Sequence, residues 1–81
     1  MKETIKKILA ENAEIPLDEL DSTASDGLLT DIGVDSLNIM YVIAVIEQEF
    51  GFTFNEEDMV FNNFNTIDKI ENMIKKYTKE V

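Results

Sequence analysis

The sequence predicts an all-α protein, a four-helix bundle with a long first loop and a short third helix. Three segments, residues 2–13, 36–50 and 67–78, carry apolar residues at the spacing of a helix face. Residues suited to capping stand before the second and third of these segments, and a glycine follows the second. A chain of 81 residues can bury roughly 60% of its unfolded surface. We therefore expect one domain, spanning residues 1–81, with one modest core.

The first helix spans residues 2–13, and a long loop follows it at residues 14–34. Ile5 and Leu9 fall on one face of the helix. The loop contains proline, glycine, serine and aspartate, which interrupt regular structure. Leucines and isoleucines are scattered between them, so we expect the loop to pack across the helices, with a short turn near residues 28–31.

Residues 36–50 are the most informative segment. Their apolar run of eight residues would also fit a buried strand, but the pattern continues without a break to Phe50. This length favours a helix. Asp35 or Ser36 suits its N-cap, and Gly51 suits the position after its last turn.

The last third of the chain predicts a short helix and a longer one. After an extended link at residues 52–54, Asn55 and the acids that follow it open the short third helix, which ends near Phe61. Thr66 caps the last helix, which continues to about Thr78. The apolar face of that helix consists of Ile67, Ile70, Ile74 and Tyr77.

The charge distribution argues against several classes of function. The formal net charge is −10, from 17 acids and 7 lysines, and no base stands between residues 8 and 68. Such an acidic block repels nucleic acids and anionic membranes but attracts a basic protein surface. The longest apolar run is too short to span a membrane, and no signal peptide is visible. We therefore expect a soluble, cytoplasmic monomer.

The residue types that the chain lacks narrow its chemistry further. It has no cysteine and no histidine, which excludes disulfides, the usual zinc sites, and Cys–His or Ser–His nucleophiles. When the acid-rich loop is aligned with a calcium-binding loop, Gly33 stands where the acidic final ligand is required. We therefore predict no metal site.

Ser36 lies where the loop enters the helix of residues 36–50. Most serines in such a position only cap the helix. A reactive serine needs a nearby base, and Asp35, next to it in sequence, has poor geometry for that role. Another protein must therefore activate Ser36 if it reacts. A phosphate joined to it would meet free backbone N–H groups and the positive end of the helix dipole.

The two sides of this helix differ. The core stripe consists of Ile39, Ile43, Ile46 and Phe50, flanked by Met40 and Val42. The opposite side, called the partner face below, carries Leu37, Asn38, Tyr41, Ala44, Val45 and Gln48. Most of the partner face is apolar or aromatic, and exposed apolar residues commonly mark a surface for a partner. The alternative is that the loop of residues 14–34 covers this side.

The chain resembles the acyl carrier protein family in an extended pattern around Ser36. The pattern consists of Asp31-Ile32-Gly33-Val34-Asp35-Ser36-Leu37, followed by an apolar helix that ends in Glu47-Gln48-Glu49-Phe50-Gly51. It also includes Phe64-Asn65-Thr66-Ile67 at the entrance to the last helix. The resemblance covers essentially the whole chain, including its length and its acidic balance.

The resemblance implies that Ser36 receives 4′-phosphopantetheine from coenzyme A through a phosphopantetheinyl transferase. The thiol of that arm then carries acyl groups as thioesters between acyl-transferring and condensing enzymes of fatty-acid or polyketide-type synthesis, so the chain itself is not an enzyme. Asp35 matches the family aspartate that helps to place the transferase's metal, and Leu37 matches the residue that docks on the transferase. The candidates to line an acyl pocket are Ile43, Ile46, Phe50, Phe54, Met59, Phe64 and Ile70.

The chain departs from the family pattern on the partner face. Asn38, Tyr41 and Gln48 stand where acids are common, although Glu47 remains at the edge of this surface. We therefore expect a carrier for a specialised pathway, whose partners bind partly through Tyr41 and Val45.

Two alternative functions stay open at this point. An aminoacyl or peptidyl carrier of a nonribosomal pathway shares the arm and the bundle and is typically less acidic. An unmodified helical adaptor would use the partner face and keep Ser36 only as a cap.

Overall fold

The computed structural model describes residues 1–78, which form four α-helices and no strand. The helices are α1 (Lys2–Ala13), α2 (Leu17–Ser22), α3 (Ser36–Phe50) and α4 (Ile67–Thr78), and 3₁₀ turns occupy Leu29–Ile32, Glu56–Asp58 and Phe61–Asn63. The all-α fold predicted from the sequence is confirmed. Within these residues, no helix is both long and apolar enough to cross a membrane.

Helix α2 lies inside the stretch predicted as a loop, so the irregular connection to α3 is shorter than expected. Pro16 stands at the N-cap position of α2, and Asp18 and Glu19 occupy its first turn, where acids favour the helix dipole. Leu20 is fully buried and holds this helix against the core. A proline followed by acids is a helix-start signal, but six residues are too few to show a periodic apolar face.

The short third helix predicted from Asn55 to Phe61 is instead a pair of 3₁₀ turns. Met59 and Val60 separate the two turns. Neither turn contains a fully buried residue, so no apolar stripe stabilises a longer helix here. Short helices depend on such packing because nucleation is costly.

The core forms around α1, which contacts α2, α3 and α4. Side chains from all three long helices are fully buried, among them Ile5, Ile46 and Ile74. Thr66, predicted to cap α4, accepts a hydrogen bond at its Oγ1 from the backbone N–H of Lys69 at 3.0 Å. The predicted cap is therefore present.

The segment between α2 and α3 is tied to the start of α4. The N–H of Leu29 donates to the carbonyl of Asn65, and the N–H of Asp68 donates to the carbonyl of Ser25, each at 2.9 Å. Leu29 and Val34 are buried in the core. These contacts fix the point at which the chain enters α3.

Candidate functional site

A capping box holds the start of α3. Asp35 is the N-cap residue, and its Oδ1 accepts a hydrogen bond from the backbone N–H of Asn38 at 2.9 Å. The side-chain oxygen of Asn38 accepts one in return from the N–H of Asp35 at 3.1 Å. Ser36 is therefore the first residue of the helix and not its cap. Capping does not account for a serine at this position.

The backbone around Ser36 suits an anion. A helix begins with N–H groups that have no acceptor inside the helix, and the capping box satisfies those of Asp35 and Asn38. Within residues 1–78, the N–H groups of Ser36 and Leu37 have no acceptor, so they can face a phosphate on the serine oxygen. The positive end of the helix dipole favours the same negative charge.

Within residues 1–78, the Ser36 hydroxyl makes no hydrogen bond to a base. The chain has no histidine, and the nearest carboxylate in sequence, that of Asp35, is engaged in the capping box. A serine nucleophile needs a base within hydrogen-bonding reach. Ser36 itself is exposed, so a second protein can reach it.

The turn before α3 sets the position of Ser36. Gly33 has a φ of +97°, a backbone conformation that residues with a side chain rarely adopt. Its N–H donates to the carbonyl of Thr30 at 3.2 Å, and the N–H of Val34 donates to the carbonyl of Leu29 at 3.1 Å. Because Val34 and Leu29 are also buried, this turn is held by both packing and backbone hydrogen bonds.

A cavity of about 190 Å³ opens beside Ser36. Helix α3 supplies Ile39, Met40 and Ile43 to one side of it, and Met59, Val60 and Phe61 form the other side. Apart from Ser36, every lining residue is apolar. An apolar group tethered to the serine therefore has an apolar space beside the base of its tether.

The chain is similar to known proteins over nearly its whole length. A family model described as a phosphopantetheine attachment site matches residues 3–74. The acyl carrier protein of Buchnera aphidicola subsp. Acyrthosiphon pisum is 32% identical over 76 residues, which cover 94% of this chain and 90% of the relative. That of Clostridium acetobutylicum is 30% identical over 78 residues, or 96% of each chain. The chain belongs to the acyl carrier protein family.

Membership of the acyl carrier protein family establishes the general role of the chain. Its cofactor is 4′-phosphopantetheine. Acyl carrier proteins carry substrates and do not catalyse reactions, so the chain is not an enzyme. The role implies interaction with transferases and synthase enzymes.

The structure places the seven residues predicted for the acyl pocket in two groups. Ile43 and Met59 line the cavity beside Ser36. The remaining five do not line it: Ile46, Phe54, Phe64 and Ile70 are buried in the core, and Phe50 is half-buried against the core.

The other lining residues were not among the seven pocket candidates, and two different reasons explain this. Ile39 and Met40 precede Ile43 on α3 by about one turn, and their helical spacing is a signal that points to the same side. Val60 and Phe61 lie in the irregular stretch around the 3₁₀ turns, where no periodic pattern indicates direction.

The partner face is open over most of its length. Leu37 and Tyr41 are each 58% exposed, so the alternative in which the loop covers them is wrong. Ala44 and Gln48 are exposed as well. Met40, predicted to flank the core stripe, is 65% exposed, because it lies at the rim of the cavity, where no element covers it.

Three other residues predicted for the partner surface have contacts within the fold. The amide of Asn38 belongs to the capping box. Val45 is half-buried and lines a separate cleft between α1 and α3. Glu47 is half-buried, and its Oε2 accepts a hydrogen bond from the N–H of Phe54 at 2.9 Å. Its carboxylate therefore supports the turn after α3.

Proposed function

We propose that Ser36 carries the 4′-phosphopantetheine arm, and that the protein conveys acyl groups, as thioesters on that arm, between enzymes of fatty-acid or polyketide-type synthesis. One observation in particular supports Ser36 as the attachment point. Its side chain is exposed at the first position of α3, while Asp35 performs the capping that would otherwise explain a serine there. Modification of Ser36 therefore removes no contact that holds the helix.

The cavity beside Ser36 supports a sheltering role for the fold. Burying one methylene group contributes about 0.8 kcal/mol, so an acyl chain gains free energy by leaving water for an apolar space. We propose that Ile39, Ile43 and Met59 contact the cargo, with Met40 and Val60 at the rim. The bundle then protects the thioester chain between visits to different enzymes.

Two neighbours of Ser36 suit recognition by the phosphopantetheinyl transferase. Leu37 follows the serine and is well exposed, so we propose that it docks in an apolar pocket of that enzyme. Asp35 uses its Oδ1 in the capping box and keeps its second carboxylate oxygen for a metal ion held by the transferase.

Incubation with coenzyme A and a broad-specificity phosphopantetheinyl transferase, followed by intact mass spectrometry, tests the attachment. The wild type and a Ser22→Ala control should each gain one phosphopantetheine group, because Ser22 is an exposed serine on another helix. Ser36→Ala should gain none. Modification of Ser36→Ala would place the arm elsewhere, and an unmodified wild type would favour the helical adaptor.

Recognition by later partners is proposed to rest on Leu37 and Tyr41. Both side chains are well exposed on one side of α3, and tyrosine is among the residues that most often dominate binding energy at interfaces. Tyr41→Glu should lower turnover with the native acyl-transferring or condensing enzyme by about tenfold. Asn72→Glu adds the same charge at an exposed position of α4 and should leave turnover unchanged. Equal turnover in both variants would count against this surface.

The protein isolated from its native host would reveal the class of cargo that it carries. We propose an acyl rather than an aminoacyl cargo, because every side chain that lines the cavity is apolar except that of Ser36, whose hydroxyl is taken up by the arm. Intact mass spectrometry of the protein from its native host would detect the arm and its cargo together. An aminoacyl mass on the arm would instead identify a carrier of the nonribosomal type.

A further inference from the structure

The side of the cavity opposite α3 is formed by residues 55–63, called the turn segment below. It holds the 3₁₀ turns Glu56–Asp58 and Phe61–Asn63, joined by Met59 and Val60. Phe54 before it and Phe64 after it are buried, yet no residue between them is fully buried. Apolar packing therefore anchors the two ends of the segment and, through the half-buried Phe61, its second turn, whereas Met59 and Val60 line the cavity and are exposed.

A polar cluster holds that middle part to α4. The hydroxyl of Tyr77 donates a hydrogen bond to Oδ2 of Asp58 and accepts one from the N–H of Asn55 at 2.8 Å. The Nζ of Lys76 lies 2.9 Å from the same Asp58 oxygen. Asn55, Asp58, Lys76 and Tyr77 are called the Tyr77 cluster below. These contacts join Asp58 of the turn segment to Tyr77 of α4, which lies 19 residues further along the chain.

Asp58 connects the Tyr77 cluster to the residues that line the cavity. Its backbone carbonyl accepts hydrogen bonds from the N–H of Val60 and from Nδ2 of Asn63, each at 2.9 Å. Met59 and Val60, next to it in sequence, line the cavity. A shift of Asp58 away from α4 would therefore move this side of the cavity outward.

The ring of Tyr77 is fixed independently of its hydroxyl. It stacks on Phe52 with centroids 5.3 Å apart and meets Phe54 edge to face at 4.9 Å. Burial and the hydrogen bond to Asp58 raise the pKa of Tyr77, so the hydroxyl keeps its proton at neutral pH. The donor is thus held by packing in the position that Asp58 requires.

The size of the cavity limits what fits while the cluster is closed. Its volume is about 190 Å³, whereas a cavity of about 150 Å³ is known to hold benzene in another protein. A chain of about six carbons is therefore near the limit. A longer chain needs the turn segment to move away from α3.

We propose that Asp58 and Tyr77 are positioning residues that set the longest acyl chain the fold can shelter, at about six carbons. The proposal rests on the attachment of the arm at Ser36. Asp58 and Tyr77 act through Met59 and Val60, which line the cavity. Loss of the cluster does not change the attachment of the arm at Ser36 or the α3 side of the cavity. It allows the turn segment to move away from α3 when a longer chain binds.

The test loads the protein with acyl-phosphopantetheine arms of four, six, eight and ten carbons and measures Tm for each. Chains that become buried raise Tm, because they are sheltered only in the folded state. In the wild type, Tm should rise with chain length up to about six carbons and then stay constant. In Tyr77→Phe, which keeps the ring, Tm should continue to rise by about 4 °C or more for each two further carbons.

Two further variants make the outcome specific. Asp58→Ala should reproduce the extended profile of Tyr77→Phe. Lys2→Met removes the ion pairs of Lys2 with Glu71 and Asp68 of α4, and none of these residues lines the cavity. It should lower every Tm and keep the wild-type limit.

The failures of the two proposals are distinguishable. A protein that accepts no arm at Ser36 overturns the proposed function, and this inference with it. Normal loading with the same length limit in the wild type, Tyr77→Phe and Asp58→Ala overturns only the role of the Tyr77 cluster. If the length limit also shifts in Lys2→Met, the role of the Tyr77 cluster is overturned as well, because the shift would then reflect a general loss of stability.

Discussion

The two sides of the cavity beside Ser36 are built differently. On the α3 side, Ile39 and Ile43 are buried within a helix of 15 residues that starts at a capping box. On the other side, the turn segment consists of two turns of three residues each, with no fully buried residue. Buried side chains fix one side, whereas the polar contacts of the Tyr77 cluster and the half-buried ring of Phe61 hold the other.

The difference has a physical consequence. Displacing a buried side chain exposes apolar area, which costs about 25 cal/mol for each Å². A polar contact near the surface can be replaced by contacts with water at a small net cost. We therefore interpret the α3 side as the fixed support for the attachment point, and the turn segment as the side that adapts to the cargo.

The largest effect should come from removing the apolar anchor of the turn segment. Phe54 is buried and meets Phe52, Phe64 and Tyr77 edge to face, with ring centroids 4.8–5.2 Å apart. Phe54→Ala should lower the free energy of unfolding by about 3–5 kcal/mol, measured by urea denaturation. Phe61→Ala, inside the segment and only half-buried, should lose less than half as much. Equal losses would mean that the segment is anchored along its whole length and that the two sides of the cavity are packed alike.

A smaller effect should distinguish Asp35 from Ser36 on the fixed side. Asp35→Ala removes the N-cap of α3 and should lower the free energy of unfolding by about 1 kcal/mol. Ser36→Ala removes no contact of the fold and should change it by less than about 0.5 kcal/mol. Urea denaturation of the unmodified proteins measures both. A similar loss in the two variants would show that the serine takes part in capping after all.

The fixed side was largely predictable from the sequence. The apolar spacing of residues 36–50 indicates the helix and its buried stripe, and Asp35 and Gly51 mark its ends. Local rules suffice there because caps and helix faces depend on residues only a few positions apart. Met40 shows their limit: periodicity gives the direction of a side chain and does not show whether another element covers it.

The adaptable side was not predictable by the same rules. Tyr77 was correctly placed on the apolar face of α4, but the partner of its hydroxyl, Asp58, is 19 residues away. No periodic pattern relates these two positions. The acids at residues 56–58 match the first turn of a helix as well as they match a 3₁₀ turn, so the choice between them depends on tertiary contacts.

The smallest effect concerns the pH dependence of the Tyr77 cluster. The hydrogen bond from Tyr77, and then that from Lys76, lower the pKa of the Asp58 carboxyl below its usual value. A carboxyl with a lowered pKa in the folded state stabilises the fold at pH values above its unfolded pKa of about 4. This stabilisation is lost as the pH falls through the lower, folded value. Stability should therefore decrease in that acid range, with the Asp58 contacts intact at neutral pH.

Urea denaturation of the wild type and of Asp58→Asn, each at neutral pH and at about pH 3, isolates this contribution. The wild type should lose more stability on acidification than Asp58→Asn, which has no carboxyl to protonate at this position. Tyr77→Phe should fall between them, since the tyrosine hydroxyl is the larger of the two causes. Glu71, whose pKa is lowered by Lys2, contributes equally to all three proteins and cancels in the comparison. Identical losses in the wild type and Asp58→Asn would mean that Asp58 is not held by α4 in solution, and the two sides of the cavity would then differ only in packing.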